Sequence, residues 1–407
     1  MKRIVRDNIN AKMSSSKAIL IRGVRGCGKT DLANEYANSV LDMNDNNLVH
    51  IAYAKPDILL KTEKPVLIKD YGNAPEILDK IKEISYKNGD YILTNSYDLK
   101  EKEDSELSLI ELRPLSLFES GDSNGKISLE NLINNEIEVN GITTNLDYEK
   151  VAYCLCRGGF LANINKNRKE LDKANNEYIK EIIEKDIVKI DGVKRNSELA
   201  YNLLKSYTNQ ISTLSSDREL IDETVDTYGK VCDKTIYNYV KQLKNLFIIE
   251  ETKGWKVSFR NETTVRLSPK KFFVDPSIGT TLMNIKPEKL VMNFDLYTKL
   301  FKNLVYRDLN VYASTFGGRI DYYQDRYDLK SDFVIHLEND ETALVEVQLI
   351  DHDIEESIKN LLKIKKLINK EKSEEKDPKA MIIITAGTEA YKTQDGIYVV
   401  PIGCLKN

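Results

Sequence analysis

The chain has 407 residues, beyond the roughly 250 at which a single hydrophobic core stops growing, so two or three domains are expected. Its 60 basic and 64 acidic residues leave a net charge of -4, which excludes a global attraction to nucleic acid or to an anionic membrane surface. Any such binding must come from a local patch. Five cysteines (Cys27, Cys154, Cys156, Cys232, Cys404) form neither a CxxC pair nor a set with histidine at zinc spacing, which predicts reduced thiols and a cytoplasmic chain. The N-terminal stretch is basic, but its apolar run, Ala18 to Ile21, is too short for a signal core. No later run approaches the ~20 residues that span a bilayer, so no membrane partner is expected.

The first motif follows that run. Gly23-Val24-Arg25-Gly26-Cys27-Gly28-Lys29-Thr30 fits G-x-x-x-x-G-K-[ST] between a strand-like segment and a helix-like one, "TDLANEYANSVL". Glycines there let backbone N–H groups turn toward phosphates, and a helix N-terminus adds its dipole. The pattern predicts nucleotide binding by Gly23, Gly26, Cys27, Gly28, Lys29, Thr30 and Asp31. Lys29 is expected to reach the β- and γ-phosphates, and the Thr30 hydroxyl to hold Mg²⁺.

Next comes "KPVLIKDYG", a short strand ending at Asp70, which is expected to orient the Mg²⁺. Hydrolysing enzymes of this kind commonly place a Glu after the Asp to polarise water; here Tyr71 stands there. A third strand, "GDYILTNS", puts Asn95 at its end, where an amide can meet a γ-phosphate or simply sit in a turn.

These stretches, with "ELRPLSLFESGDS", "RGGFLANI", "KRNSELAYNLLKSY", "RLSPKKFFVDPSIG", "YRDLNVYAS", "SDFVIHL", "ALVEVQL" and "GIYVVPIG", resemble in order a family of prokaryotic AAA-type ATP-binding proteins. The resemblance covers nearly the whole chain. It implies an α/β chain in three parts: a P-loop domain (1–150), a helical lid and winged-helix region (151–285), and a degenerate restriction-endonuclease-like domain (286–407). It also implies ATP with Mg²⁺, and self-association or a protein partner. Where the family has Asp-Glu, an apolar residue and Gln, this chain has Asp70-Tyr71-Gly72-Asn73, so only Asp70 carries over. Arg113, before Pro114-Leu115-Ser116, and Arg157, before Gly158-Gly159, are the candidate γ-phosphate sensors, against the plain alternative of structural cations.

Residues 197–255 read as helices followed by a hairpin. Asp233 is expected as an N-cap, with Ile236, Val240, Leu243 and Phe247 as a buried stripe and Lys234, Asn238, Lys241 and Asn245 on the opposite face. Such a helix can lie in a major groove, Lys234 and Lys241 meeting phosphates and Asn238 a base edge of double-stranded DNA; the alternative is a solvated lid face. Asp275 with Pro276 reads as a helix cap rather than a catalytic acid.

From residue 294 the order helix, three strands, amphipathic helix (354–372), two strands predicts a mixed sheet covered by helices. The endonuclease-like chemistry implied by the resemblance needs an Asp, then Glu-x-Lys on the next strand. Asp332 and Glu346 are present, Gln348 replaces the Lys, and Lys302 and Lys330 replace two further acids. Asp332 and Glu346 therefore read as remnants of a metal site, weak metal ligands or polar partners in the sheet. His50, His336 and His352 are scattered and suggest no triad. Three functions stay open: a slow or partner-stimulated ATPase acting as a DNA-binding switch, an ATP-regulated DNA nuclease, and a non-hydrolysing ATP-binding scaffold.

Overall fold

The computed structural model describes residues 3–84, 87–101, 105–260, 264–350, 354–369 and 374–407. His352 and the end of the predicted helix at 370–372 lie outside them. The chain is mixed α/β, built on two main sheets.

The first sheet holds β1 (Ala18–Arg22), β2 (Ser39–Asp42), β3 (Val66–Lys69), β4 (Tyr91–Asn95) and β5 (Leu107–Glu111), all parallel, in the order β2-β3-β4-β1-β5. Its central strands are apolar up to their C-terminal ends (Ala18–Ile21, Val66–Ile68, Tyr91–Leu93) because both faces are covered, as parallel sheets require. β1 pairs with β4 in register, Arg22 opposite Asn95, so the C-terminal ends of β1, β3 and β4 meet at one edge. Ligands of open α/β sheets bind outside those ends.

The helix after the glycine loop is shorter than expected. It runs Lys29–Asn34, and Ser39–Asp42 is not helical but forms edge strand β2 against β3. The apolar pair Val40-Leu41 serves the sheet, a long-range pairing that outweighs the helical composition around it.

The middle region is helical: Tyr148–Arg157, Arg168–Glu181, Ser197–Gln210, Asp217–Tyr228 and Asp233–Asn245. Capping boxes start two of these, Asn167 with Glu170 and Ser216 with Glu219. Between Glu181 and Ile187, residues Ile182–Asp186 form one π turn. Cys232, not Asp233, occupies the N-cap of the last helix and makes no side-chain cap; Asp233 instead lies 3.2 Å from Arg218. Phe247 falls beyond that helix at φ 58°, and the buried stripe includes Tyr239. Asn245 is buried rather than exposed: its amide donates to Gln242 Oε1 at 3.2 Å, and its backbone carbonyl accepts from Asp98 N, in the loop after β4, at 2.8 Å.

The expected hairpin is wider than it reads. β8 (Ile249–Thr252) pairs antiparallel with β9 (Lys270–Phe273), and between them Trp255 and Arg266 meet the edge of the second sheet, Trp255 N donating to Tyr322 O at 2.7 Å and Arg266 N to Gln324 O at 2.8 Å.

That second sheet contains β10 (Arg319–Gln324), β11 (Lys330–His336), β12 (Thr342–Gln348), β13 (Ala380–Thr385), β14 (Glu389–Lys392) and β15 (Tyr398–Pro401). It also takes β7 (Ile142–Thr143) against β14. β6 (Ile127–Ser128) pairs with β16 (Leu405–Lys406). Residues near 123–144 therefore pack with the C-terminal strands, so the expected boundary at 150 is not a structural one. One apolar core runs from Ile19 through Leu203 and Phe273 to Leu405, joining all three regions. No helix among the described residues is long and apolar enough to cross a membrane.

Candidate functional site at the glycine loop

The loop between β1 and the helix Lys29–Asn34 forms one wall of a cavity of about 480 Å³, within the ~300–1,000 Å³ usual for ligand pockets. Gly26, Gly28, Lys29, Thr30 and Asp31 line it from the loop, and Asp70 lines it from the end of β3. Lys29 is buried, and its ammonium donates to the carbonyls of Gly23 at 2.8 Å and Val24 at 2.9 Å, which holds the loop in a ring around its charge. Gly28 caps the helix with φ 95°. Gly23 and Cys27 support the loop from behind: the Cys27 thiol faces inward and donates to Leu112 O at 3.2 Å.

Asp70 takes the left-handed conformation at φ 50° and accepts from Asn44 Nδ2 at 2.6 Å. Asn44 also bonds Asp42, and Asn73 donates to the Met43 carbonyl at 2.9 Å. This polar rim, Asn44 and Asn73, is missed by motif reading; the turn-forming "MNDNN" after β2 is its only sequence signal. Thr30 and Asp70 are hard oxygen donors on one cavity, a set that suits Mg²⁺ carried with phosphates. Among the described residues no cluster of three or more His, Cys, Asp or Glu could hold a metal alone.

Three expected site residues, Asn95, Arg113 and Arg157, lie outside the cavity lining, and Tyr71 points away from it. Asn95 is buried behind the cavity and donates to Tyr97 O at 2.6 Å, leaving Ser96 and Tyr97 to line the wall. Tyr71 turns into the core, fully buried. Arg113 pairs with Glu250 of β8 and, at 3.0 Å, with Glu111, and stacks 5.8 Å over Tyr306. Arg157 makes a two-pronged pair with Asp122, at 3.0 and 2.6 Å. Both guanidiniums are held by carboxylates, and neither lines the cavity.

The opposite wall comes from the middle region. Phe160 and Leu161 cover the loop glycines, 3.6 Å from a Cβ built on Gly26 and 3.4 Å from one on Gly28. Leu161, Ala162, Ile182, Asp186, Leu246 and Ile248 line the cavity. Arg25, a variable position of the motif, also lines it. Its Nε is 2.7 Å from Asp186 Oδ2, its guanidinium pairs with Glu181, and it lies 5.3 Å over the Tyr178 ring. Burial raises the Asp186 carboxyl above its ordinary range against the pull of Arg25.

Lys234, Asn238 and Lys241 are exposed along the helix Asp233–Asn245, and Asn238 accepts from Arg195 at 2.9 Å.

The second acidic pair has become a charge cluster. Asp332 Oδ1 is 2.7 Å from Lys302 Nζ and 3.8 Å from Lys270 Nζ, and Val347 N donates to Oδ2 at 3.0 Å. Burial opposes the Asp332 charge, yet Lys302, Lys270 and Lys330 hold its carboxyl at about 2. Glu346 is fully buried and unpaired; burial and then Asp332 push it up to about 8. Lys270, buried in β9 and pushed down to about 8 by that burial, is the member that sequence reading missed. Lysines occupy the cation position and Glu346 favours a proton, so Asp332 and Glu346 do not fit a divalent metal. Gln348 donates to Ser357 at 2.7 Å. His50 is exposed, and His336 packs edge-on against Trp255. All five cysteines are free.

Two family models match parts of the chain. A domain of unknown function (DUF8612) matches residues 148–289 and a domain of unknown function (DUF4143) matches residues 297–405. No curated protein matches. Among solved structures, the Walker-type ATPase PABY2304 of Pyrococcus abyssi is 12% identical, covers 68% of this chain and 94% of its own, and has a TM-score of 0.40. Protein VC1899 from Vibrio cholerae is 9% identical, covers 95% and 94%, and has a TM-score of 0.18. Scores this low carry no functional weight, and the site must be judged on its geometry.

Proposed function

We propose that the chain is an AAA-type Mg·ATP-binding switch whose turnover is slow or partner-stimulated. One observation carries this reading: a cavity lined on one side by Lys29, Thr30 and Asp70 and on the other by Leu161, Ile182 and Ile248 of the middle region. In it the Lys29 ammonium would leave its loop carbonyls for the phosphates, loop N–H groups would hold the phosphate oxygens, and Thr30 and Asp70 would hold Mg²⁺. Mg²⁺ supplies charge neutralisation at the transferring phosphoryl group. Leu161 and Ile182 offer an apolar wall for a base and exclude water from it. With Tyr71 in the core, no carboxylate follows Asp70 to polarise water, which fits slow chemistry. Phosphate release from ATP, measured with and without duplex DNA, tests this: slow release lost in Lys29→Ala is expected. Binding without release under every condition would favour the non-hydrolysing scaffold.

A second reading, DNA binding by a winged-helix region, rests on the exposure of Lys234, Asn238 and Lys241 on one helix. Lys241→Glu should then weaken retention on a duplex and shallow its salt dependence; an unchanged salt slope favours a solvated lid face. For the C-terminal region we keep the degenerate restriction-endonuclease-like reading without cleavage, because lysines fill its cation position.

A further inference from the structure

The two arginines that sequence reading offers to the phosphates are both engaged elsewhere, by Glu250 and by Asp122. The cavity has its own guanidinium. Arg25 lies in the glycine loop, four residues before Lys29, and lines the same cavity as Lys29 and Thr30. Its present partners all belong to the middle region: Asp186 at 2.7 Å, Glu181, and the ring of Tyr178, whose hydroxyl also donates to Arg25 O at 2.9 Å. Asp186 is buried, lines the cavity, and ends the single π turn Ile182–Asp186, an irregularity often found at functional positions.

Two anions compete for one cation in this arrangement. A triphosphate in the loop brings several negative charges into the cavity that already holds the Asp186 carboxylate. At the short distances and reduced dielectric of such a site, like charges repel by kcal/mol rather than tenths. A guanidinium suits phosphate as well as carboxylate, since it binds either in a two-pronged way. Its transfer to the phosphates would leave Asp186 buried beside an anion with its counter-charge gone, a state that requires the carboxylate to leave the cavity or to take up a proton. Either event loosens the hold of the segment 181–186 on the loop.

We propose that Arg25 is a phosphate-binding residue of the ATP site, and that Asp186 and Glu181 are its exchangeable partners, through which the middle region reads phosphate occupancy. The proposal rests on the ATP-binding reading above. Because the γ-phosphate adds charge beyond ADP, Arg25 discriminates the two nucleotides, and the lid acids oppose the triphosphate.

The test is Mg·ATP and Mg·ADP titration of the full chain and of Arg25→Ala, Arg25→Lys and Asp186→Asn, each checked for native circular dichroism. Arg25→Ala should weaken ATP about tenfold or more while changing ADP far less, as expected for a lost charge-assisted contact. Arg25→Lys should recover part of the loss. Asp186→Asn should bind ATP several-fold more tightly, an effect opposite in sign to that of a residue with a merely structural role. Hydrogen exchange over residues 168–190 should rise when ATP binds the wild type and should start high, without further response, in Arg25→Ala. Wild-type ATP binding with equal affinities in all variants, or weaker binding in Asp186→Asn, overturns this proposal alone. A wild-type chain that binds no ATP overturns the underlying reading with it.

Discussion

Arg307 Nη1 lies 2.9 Å from Asp275 Oδ2, with both side chains closed off from solvent. The pair is the centre of a network. Asp275 also accepts from Gly159 N at 2.9 Å and caps its own helix through Ser277 N at 2.9 Å. Arg307 holds Asp308, which accepts from Leu117 N at 2.9 Å. The motifs "RPLSLFES", "RGGF", "VDPSIG" and "YRDL", distant in sequence, therefore meet in one buried set of bonds that joins the segment after β5, the helical region and the long helix Phe294–Ala313. Asp275 does more than cap a helix.

Removing one partner of this pair strands the other. Arg307→Ala should cost about 3–5 kcal/mol, the range for breaking a buried ion pair. Urea denaturation followed by circular dichroism checks it. A cost under ~1 kcal/mol would mean that the network adds little to the junction.

At Asp332 the counter-charge comes from the lysines Lys302 and Lys270. Lys302→Met should destabilise the fold, and the double variant Lys302→Met, Asp332→Asn should recover much of the loss, because the stranded carboxylate is gone. Thermal unfolding of the three proteins reads this out. Added Mn²⁺ without nucleotide should leave the melting temperature of the Lys29→Ala protein unchanged.

Glu346 gives the cluster a pH signature. Its carboxyl is raised from 4.5 to about 8 in the fold, so between these values the folded chain holds a proton that the unfolded chain releases. Stability should fall as pH rises from about 4.5 to about 8. Lys270 works in the other direction: lowered from 10.5 to about 8, it favours the fold as pH rises above about 8. Glu346→Gln should flatten the first limb and leave the second, measured as unfolding free energy against pH. A wild-type profile that rises steadily through that range would contradict the burial of an unpaired Glu346.

Gly23 admits no side chain. A Cβ there would sit 2.1 Å from Leu112 O, at φ 151°, so the contact is with backbone that has no rotamer to change. Gly23→Ala should destabilise the first sheet by several kcal/mol, on the order of other special backbone positions, and should abolish nucleotide binding along with it.

The loop and its strand were legible because phosphate chemistry fixes residue types at fixed spacing: the apolar run of β1, the glycines, Lys29 and Thr30 all follow from local rules. The failures have one physical origin, long-range partners. Arg113 and Arg157 look free in sequence, yet Glu250 and Asp122, which hold them, stand 137 and 35 positions away. Lys270 sits in "PKKFF", where nothing local shows that the fold brings its ammonium to 3.8 Å from Asp332. Arg25 occupies a position the motif leaves open, so only the fold, by bringing Asp186 and Tyr178 to it, singles it out.

The central claim is that this cavity binds Mg·ATP through the glycine loop. Isothermal titration of the purified full chain with Mg·ATP, beside Lys29→Ala at equal circular dichroism, tests it most directly. The account predicts saturable one-to-one binding by the wild type and a loss of at least about tenfold in affinity in Lys29→Ala, the scale of one charged phosphate contact. No heat of binding in the wild type, or the same affinity in both proteins, would contradict it.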